Sequence, residues 1–314
     1  MRHLSIRFKG RNRPISVVRV MAVPWPVKSL RAPLEPTAGM LYVEGSLGTS
    51  PELPRQCNNA ELMPFSLGLI GYGHFGAFLH TLAQRYLPDA PLKIYSGRRK
   101  PDGVLFFPLE EIAACEAVVL AVPISAYPAT LARIGPYLGA DSVVVDVATV
   151  KKYTMDLLQA TRPAHTFVAM HPMFGPESYS KRGGDVSGLR IVVTGYNLAH
   201  ARYSALCAKL AEVGFSIIEK TADAHDKDLA ETLFLTHYIG QVIARGGFER
   251  TEIDTVSFGY LMDAVDSVRH DVKLFEEVCR FNPYCRQVIE RFDASDREVR
   301  DVMLGLQSPD RGLG

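Results

Sequence analysis

From residue 66 onward, short apolar runs alternate with stretches of helical spacing, and this alternation limits the folds that the chain can adopt. Runs of three to six residues that are apolar throughout are typical of strands buried on both faces. Such strands form parallel sheets covered by helices on either side. We predict strands over 66–70, 92–95, 104–106, 117–122, 142–147, 167–170, 191–193 and 215–218.

The strand pattern stops after the last of these runs. We predict helices over 74–87, from 108, over 126–138 and over 150–160, and from about 222 to 306 the chain is typical of helices alone. The sequence therefore predicts a doubly wound, mainly parallel α/β sheet, followed by an all-helical C-terminal domain.

A glycine-rich loop follows the first predicted strand. Its residues are Gly71, Tyr72, Gly73, His74, Phe75 and Gly76, which match the pattern GxGxxG. The pattern alone is weak, but here it follows a strand and opens a helix, as it does in Rossmann-type dinucleotide sites. The glycines permit a tight turn and let a diphosphate approach the backbone at the helix N-terminus. The alternative, a glycine-rich turn without a ligand, leaves this context unexplained.

The end of the second predicted strand bears on the choice between NAD and NADP. An NAD site has an acid there for the ribose 2′-hydroxyl, but this chain has Ser96, Arg98 and Arg99, with no acid before Asp102. A hydroxyl and adjacent cations suit a 2′-phosphate, so we predict NADP rather than NAD. A solvated basic turn is the alternative. We add Val122, at the end of the fourth predicted strand, to the cofactor site.

His171 follows an apolar run, where an open α/β sheet presents its ligands. Histidine can accept a proton near neutral pH, although a lone histidine after a strand is more often structural. Thr149 follows the neighbouring predicted strand, and we expect it to orient the His171 imidazole, to cap the helix over 150–160, or to do both. In the helical region, His225 and His237 are each balanced between a site role and a surface or core role. They are twelve positions apart and need not share a face unless the helix bends.

Composition excludes several classes of protein. The 314 residues carry a net charge of +1, which gives no field for nucleic acid, and no apolar run is long enough to span a membrane. The five cysteines form no CxxC pair, and we expect no metal. An intracellular, cytoplasmic protein is the plain interpretation.

The first 62 residues differ from the remainder, with eight cations before the first acid, Glu35. They are interpreted as a disordered leader, as the product of a start assigned upstream of Met63, or as a transit peptide, in which case the compartment would be a plastid. We predict domains over 63–220 and 221–306, and a flexible tail over 307–314.

Four motifs in order resemble the prephenate/arogenate dehydrogenase family of tyrosine biosynthesis, and in particular its plant-type arogenate dehydrogenases. They are GYGHFG at 71–76, SGRR at 96–99, DVATVK at 146–151 and HPMFGPES at 171–178. The combination is far more specific than GxGxxG alone, and the resemblance covers about 64–300.

The resemblance implies NADP-dependent oxidative decarboxylation of arogenate or prephenate. By the same likeness, His171 accepts the proton of the substrate 4-hydroxyl, Thr149 replaces a serine beside it, and His237 is a second histidine at the substrate. Asp266 stands where prephenate-specific members have an arginine, which favours arogenate because an acid can pair with its ammonium group. We expect Ser178, Lys181 and Arg182 to bind substrate carboxylates; Arg245 and Arg250 are weaker candidates, and Arg269, one turn after Asp266, is not assigned the role of the missing arginine.

Two other functions compete with this one. A β-hydroxyacid dehydrogenase also joins an NADP-binding fold to helices, with Lys227 as its candidate catalytic lysine. A non-enzymatic NADP sensor would bind cofactor without turnover, and it leaves HPMFGPES unexplained. In each case the long C-terminal helices favour a homodimer.

Overall fold

The computed structural model describes residues 66–160 and 165–307, so the predicted leader and the tail beyond Gln307 lie outside the described residues. The strands are β1 (Leu67–Ile70), β2 (Leu92–Tyr95), β3 (Ala117–Leu120), β4 (Val143–Asp146), β5 (Thr166–Pro172), β6 (Arg190–Tyr196) and β7 (Ser216–Glu219). The helices of the sheet region are α1 (His74–Tyr86), α2 (Leu109–Ala113), α3 (Tyr127–Ile134), α4 (Lys152–Ala160), α5 (Pro176–Lys181) and α6 (His200–Val213). The C-terminal helices are α7 (Ala222–Leu229), α8 (Leu235–Arg245), α9 (Val256–Val268), α10 (Val272–Phe281) and α11 (Cys285–Gln307).

The seven strands form one sheet in the order β2-β1-β3-β4-β5-β6-β7. The first five are parallel, β6 is antiparallel to β5, and β7 is parallel to β6. Since β2 and β3 flank β1, the strand order reverses there, and a crevice opens at the carboxyl ends of β1 and β3. The predicted Rossmann-type, mainly parallel fold with a helical C-terminal region is confirmed.

Alternate residues of the central strands enter different cores. In β4, Val144 packs in a core shared with α2, α3 and α4, whereas Val143 packs with α1 and α6 on the other face. The C-terminal helices join the first of these cores through Leu229, Phe234 and Val278. Helices therefore cover both faces of the sheet, which explains why its strands are apolar throughout.

The predicted strand over 104–106 is wrong. Only Phe106 forms a β-bridge, to Ile94, and Val104 is 84% exposed. The Asp102 carboxylate accepts the backbone N–H groups of residues 104, 105 and 106, which closes the segment into a turn. Three apolar residues were too short a run to define a strand once a neighbouring carboxylate could satisfy their N–H groups.

The carboxyl end of β4 carries a buried ion pair. The Nζ atom of Lys151 lies 2.7 Å from Oδ2 of Asp146, and neither side chain is exposed. Asp146 also accepts hydrogen bonds from Tyr127 and Thr154 at 2.7 and 2.6 Å, while Lys151 donates to the Met170 carbonyl at 2.8 Å. Burial lowers the pKa of the Lys151 ammonium group, and the Asp146 carboxylate opposes that shift. These contacts join α3, α4, β4 and β5 at one point.

Replacing Lys151 by methionine keeps most of the side-chain volume but leaves Asp146 buried without its cation. We expect Lys151→Met to lower the free energy of unfolding by about 3–5 kcal/mol, measured by urea denaturation. The neighbouring Lys152 is the matched control, because its ion pair with Asp223 is exposed. Lys152→Met should cost less than about 1 kcal/mol. Equally small losses of unfolding free energy in the two variants would show that the buried ion pair stabilises the fold no more than the exposed one.

Candidate active site

The glycine-rich loop is pressed against the end of β3. Gly71 has φ +106°, and a Cβ atom there would lie 2.2 Å from the Ala121 carbonyl oxygen. A Cβ at Gly76 would lie 2.1 Å from the carbonyl oxygen of Gly71. A Cβ at Gly73 would meet nothing within 4 Å, so this position faces open space. The first and third glycines are thus needed for packing, and the second leaves room for a ligand to approach the backbone.

The N-terminus of α1 is free to bind an anion. Gly73 caps the helix without a side-chain hydrogen bond, and the first turn contains no acid. The unpaired N–H groups and the positive end of the helix dipole point to the space beside Gly73. His74 is exposed at this end, and Phe75 packs against Phe78 with ring centroids 6.0 Å apart. The loop therefore fits the diphosphate of a dinucleotide cofactor.

The turn after β2 presents two arginines in different ways. The Ser96 hydroxyl accepts the backbone N–H of Arg98 at 3.3 Å, and the Arg98 side chain is exposed. The Arg99 guanidinium lies over the Tyr72 and Phe106 rings, 5.6 and 5.1 Å from their centroids. Arg99 is therefore held in place by the rings, whereas Arg98 is free to reach a ligand.

A cavity of about 70 Å³ lies in the crevice between β1 and β3. It contains the predicted cofactor residues Gly71 and Val122. Thr130 and Arg133 of α3 also line it, although no pattern in the sequence pointed to either residue. The Arg133 guanidinium donates to the Tyr95 hydroxyl at 3.3 Å. The cavity connects the glycine-rich loop with the turn after β2, the two segments that we expect to bind a cofactor.

His171 lies on β5 and not after it. β4 pairs with β5 only as far as Ala169, and beyond that residue β5 pairs with β6 alone, with His171 opposite Val192. The register shifts between Ala169 and Met170. Such a bulge bends a strand and redirects its side chains. The imidazole is therefore held on a hydrogen-bonded strand that extends past the edge of the parallel sheet, at the same edge as the glycine-rich loop.

His171 forms a chain of hydrogen bonds with two residues of α7. Its Nδ1 atom lies 2.9 Å from Nε2 of His225, and Nδ1 of His225 lies 2.8 Å from Oδ1 of Asp226. All three side chains are buried. The sequence left His225 undecided and gave Asp226 no role. The only local signal was an adjacent His–Asp pair in the first turns of a helix.

Asp226 also caps α4. Its two carboxylate oxygens accept the backbone N–H groups of Lys151 and Lys152 at 2.8 Å each, and its carbonyl accepts from Asn282 at 2.7 Å. The predicted cap on this helix was therefore wrong: α4 begins at Lys152, and a carboxylate from a distant helix replaces Thr149. Thr149 is half-buried in the segment between β4 and α4, and no hydrogen bond joins it to His171 in the described part of the chain. The bond that orients His171 comes from His225.

The surroundings of His171 favour its neutral form. Burial, with His225 and Lys151 nearby, holds the pKa of His171 well below its ordinary value. Its Nε2 atom makes no hydrogen bond to a described residue. It is not one of the fully buried polar atoms that lack a partner in the described part of the chain. One nitrogen of the His171 imidazole is thus bonded to His225, the other has no hydrogen-bond partner among the described residues, and burial favours the neutral ring.

A π-helix, Ala230–Phe234, joins α7 to α8. Residues twelve positions apart in an ideal α-helix point about 120° apart. A π-helix rotates less per residue, and five such residues remove about a quarter turn from that angle. His237 therefore lies closer to the face that carries His225 than the sequence spacing alone suggested.

Two buried atoms in the helical region lack partners among the described residues: Nδ1 of His237 and Nε of Arg269. Gln241, one turn after His237, donates to the carbonyl of Arg269 at 3.2 Å and so fixes the end of α9 against α8. Asp266 is half-exposed and pairs with Arg269 at 3.2 Å and with Arg250 at 3.6 Å. The acid singled out in the sequence is therefore already partnered, and the neighbouring Arg269 keeps an unused donor.

Other candidates lie apart from this arrangement. The Ser178 hydroxyl is occupied at the start of α5, where it accepts the N–H of Gly175 and donates to its carbonyl. Lys181 has a 64% exposed side chain and pairs with Glu177 at 2.7 Å. Lys227, the candidate for a β-hydroxyacid dehydrogenase, is exposed. No described contact joins these three residues to His171.

Within residues 66–160 and 165–307, no group of three or more histidines, cysteines or acids is placed to hold a metal ion. In the same ranges, no helix has both the length and the apolar character needed to cross a bilayer.

Residues 106–189 match the family model described as "Prephenate dehydrogenase, nucleotide-binding domain". Over 253 residues the chain is 27% identical to Arogenate dehydrogenase 2, chloroplastic, of Arabidopsis thaliana, covering 76% of this chain and 70% of that protein. It is 26% identical to Cyclohexadienyl dehydrogenase of Zymomonas mobilis, covering 76% of this chain and 88% of that protein.

The fold is also that of a solved structure, the prephenate dehydrogenase from A. aeolicus in complex with hydroxyphenyl propionate and NAD+. The TM-score is 0.61 at 16% identity, with 80% of this chain and 94% of that chain covered. The matched family model contains His171 and Thr149, and the alignments to the two curated enzymes extend over most of the chain. On these grounds residues 106–189 resemble the nucleotide-binding domain of prephenate dehydrogenases, and the chain is similar over most of its length to an arogenate dehydrogenase and a cyclohexadienyl dehydrogenase.

Proposed function

We propose that this protein carries out the NADP-dependent oxidative decarboxylation of arogenate, with prephenate as a second substrate, in tyrosine biosynthesis. The observation that carries the proposal is His171, a buried imidazole that burial keeps neutral and whose Nε2 atom has no partner among the described residues, at the edge of the sheet where the glycine-rich loop lies. Such a base is what the oxidation of a hydroxyl-bearing ring requires.

The reaction follows from the groups around His171. NADP, when bound, supplies the acceptor for the hydride that leaves C4 of the ring. His171 accepts the proton of the 4-hydroxyl at Nε2 as the hydride leaves. It returns that proton to the oxygen when the ring carboxylate departs as CO2 and the ring becomes aromatic. The low pKa of His171 favours the return of the proton, because burial disfavours the imidazolium. We also propose that Thr149, which follows the neighbouring strand β4, contacts the substrate near its 4-hydroxyl.

The preference for arogenate rests on charge. Arogenate carries both an ammonium and a carboxylate on its side chain, whereas the pyruvyl side chain of prephenate carries a carboxylate alone. Asp266 and Arg269 form an ion pair of opposite signs, and Arg269 retains an unused Nε–H. Such a pair can bind both charges of arogenate, with Asp266 on the ammonium and Arg269 on the carboxylate. Prephenate has no side-chain ammonium group, so the Asp266 carboxylate would repel its pyruvyl carboxylate. His237, with its unpaired Nδ1, is a further polar contact for the substrate.

The test is NADPH formation with arogenate and with prephenate, each in the presence of NADP or NAD. We expect turnover with NADP and a higher kcat/KM for arogenate. His171→Asn should lower kcat by about 100- to 10,000-fold, because it removes the base. NADP binding, followed by calorimetry, should persist. His200→Asn is the control, because His200 is exposed at the start of α6. If the wild-type protein turns over neither substrate, the proposal is wrong; NADP binding without turnover would favour a sensor.

The choice of NADP rests on the turn after β2. Asp102 is the first acid after that strand, and its carboxylate already accepts three backbone N–H groups, which hold its pKa below its ordinary value. It is therefore a poor partner for a ribose 2′-hydroxyl. Ser96 and the exposed Arg98 suit a 2′-phosphate, with Arg99 behind them on the Tyr72 ring.

Removing the Arg98 guanidinium should weaken NADP binding and leave NAD binding almost unchanged. Loss of one charge-assisted hydrogen bond costs about 1.5–3 kcal/mol, so we expect Arg98→Ala to raise KM for NADP roughly 10- to 100-fold. Arg286→Ala is the control, since that exposed arginine of α11 pairs only with Glu290 among the described residues. An equal rise in KM for both cofactors would argue against recognition of a 2′-phosphate by Arg98.

We propose a homodimer formed through the helical region, which corresponds to the second predicted domain. Exposed apolar side chains between the end of α8 and the middle of α9 form a surface made by Val242, Phe248, Ile253, Val256, Tyr260 and Leu261. A concentration of large apolar side chains of this kind is typical of an interface between subunits.

Introducing a charge into this surface should separate the subunits. We expect Tyr260→Asp to convert a dimer into a monomer, as measured by sedimentation equilibrium. Val104→Asp provides the control, because Val104 is equally apolar and exposed but lies in the turn after β2. A wild-type protein that is monomeric at micromolar concentration would contradict the proposed dimer. A Tyr260→Asp variant that stays dimeric would contradict the proposed interface.

A further inference from the structure

The direction of each hydrogen bond from His171 to Asp226 is fixed by chemistry. An ionised carboxylate only accepts, and the Asp226 oxygens already accept two backbone N–H groups of α4. The Nδ1 atom of His225, 2.8 Å from Oδ1 of Asp226, must therefore carry the proton and donate. A neutral imidazole has one N–H, so Nε2 of His225 is left as an acceptor.

The same reasoning sets the tautomer of His171. Since Nε2 of His225 accepts, Nδ1 of His171 donates across the 2.9 Å between them. The remaining nitrogen of His171, Nε2, then holds a lone pair and makes no hydrogen bond to a described residue. The alternative tautomer would place two lone pairs face to face between buried rings, which is unfavourable.

We infer that His225 and Asp226 are positioning residues that hold His171 in the Nδ1–H tautomer, with Nε2 free to accept the substrate proton. The inference rests on the proposed function for the identity of that proton. Neither residue needs to touch the substrate, because each acts through the next ring in the chain.

Charged groups near His171 and His225 affect the pKa of His171. His225 and Asp226 face it from α7, and Lys151 approaches from the start of α4 with Asp146 as its partner. Burial, His225 and Lys151 disfavour a positive charge on His171. Removing His225 takes away one of the influences that lower the pKa of His171, so the acid form should persist to higher pH.

Asp226 connects the His171–His225–Asp226 hydrogen bonds to the backbone of the sheet region. The carboxylate that holds His225 also binds the two N–H groups at the start of α4, and its own carbonyl is held by Asn282 near the start of α11. Buried charge-assisted bonds of this kind are short and directional. The orientation of His225 is thus set by two helices besides its own.

The tautomer can be measured without substrate, so this test is independent of the proposed function. In the whole protein labelled with 15N-histidine, two-bond 15N–1H correlation spectra distinguish the two tautomers. The His171 signals are identified by their loss in His171→Asn. We expect the Nδ1–H form in the wild-type protein and its loss in His225→Phe, which keeps the ring volume but cannot accept. An Nε2–H form in the wild type, or no change in His225→Phe, would overturn the inference.

Kinetics then test whether the acceptor matters for turnover. The Gln side chain can place its carbonyl oxygen near the position of Nε2 and donate through its amide group. We expect His225→Gln to keep kcat within about tenfold of the wild type and His225→Phe to lose roughly 100-fold or more, with KM little changed. In both variants the acidic limb of the pH profile should move to higher pH, because His171 must be neutral to act. His200→Gln should leave the limb in place.

The outcomes separate the possibilities. If His225 only fills the core, His225→Phe will retain the wild-type rate and pH limb, and the inference fails. A folded His225→Gln protein that is as slow as His225→Phe, with NADP binding intact, also contradicts it. If the wild-type protein shows no turnover, the proposed function fails, while the spectra still decide the tautomer.

Discussion

One buried carboxylate connects the chemistry of this protein to its architecture. Asp226 has no exposed surface, and its oxygens accept from His225 and from two backbone N–H groups of α4, while its carbonyl accepts from Asn282. A buried charge is tolerated only when its hydrogen bonds are satisfied. That requirement fixes the geometry: α7 cannot move relative to α4 without leaving the charge unpaired, and His171 receives its orientation from this arrangement.

The site combines rigid elements from both halves of the chain. The glycine-rich loop lies at the end of β1, and His171 lies on the part of β5 that pairs only with β6. A base carried by a strand is held more precisely than one carried by a loop. Beneath it, the Asp146–Lys151 pair binds the Met170 carbonyl directly before the histidine. The charge of Lys151 also helps to keep the base neutral.

Two features of the backbone position the polar residues His237 and Arg269 of the helical region. The π-helix after α7 rotates His237 toward the face of His225. Gly240 allows a close crossing of α8 and α9, since a Cβ there would lie 2.4 Å from a methyl carbon of Val268. The unpaired buried atoms of His237 and Arg269 are a cost that a bound ligand can offset.

The sequence by itself determined the fold class and the glycine-rich loop, and it pointed to His171 as a candidate, because strand alternation, backbone freedom at glycine and motif order are local properties. The Val104–Phe106 run shows the limit of that reasoning, since a carboxylate nearby in the chain closed these residues into a turn and left only Phe106 bridged to the sheet. Only the tertiary structure decided which group orients His171. Thr149 follows β4, the strand next to β5, but the hydrogen bond to His171 comes from His225, 54 positions away in the sequence. Contacts between distant segments depend on how helices pack and which buried charges need partners, and neither is encoded in a short run of residues.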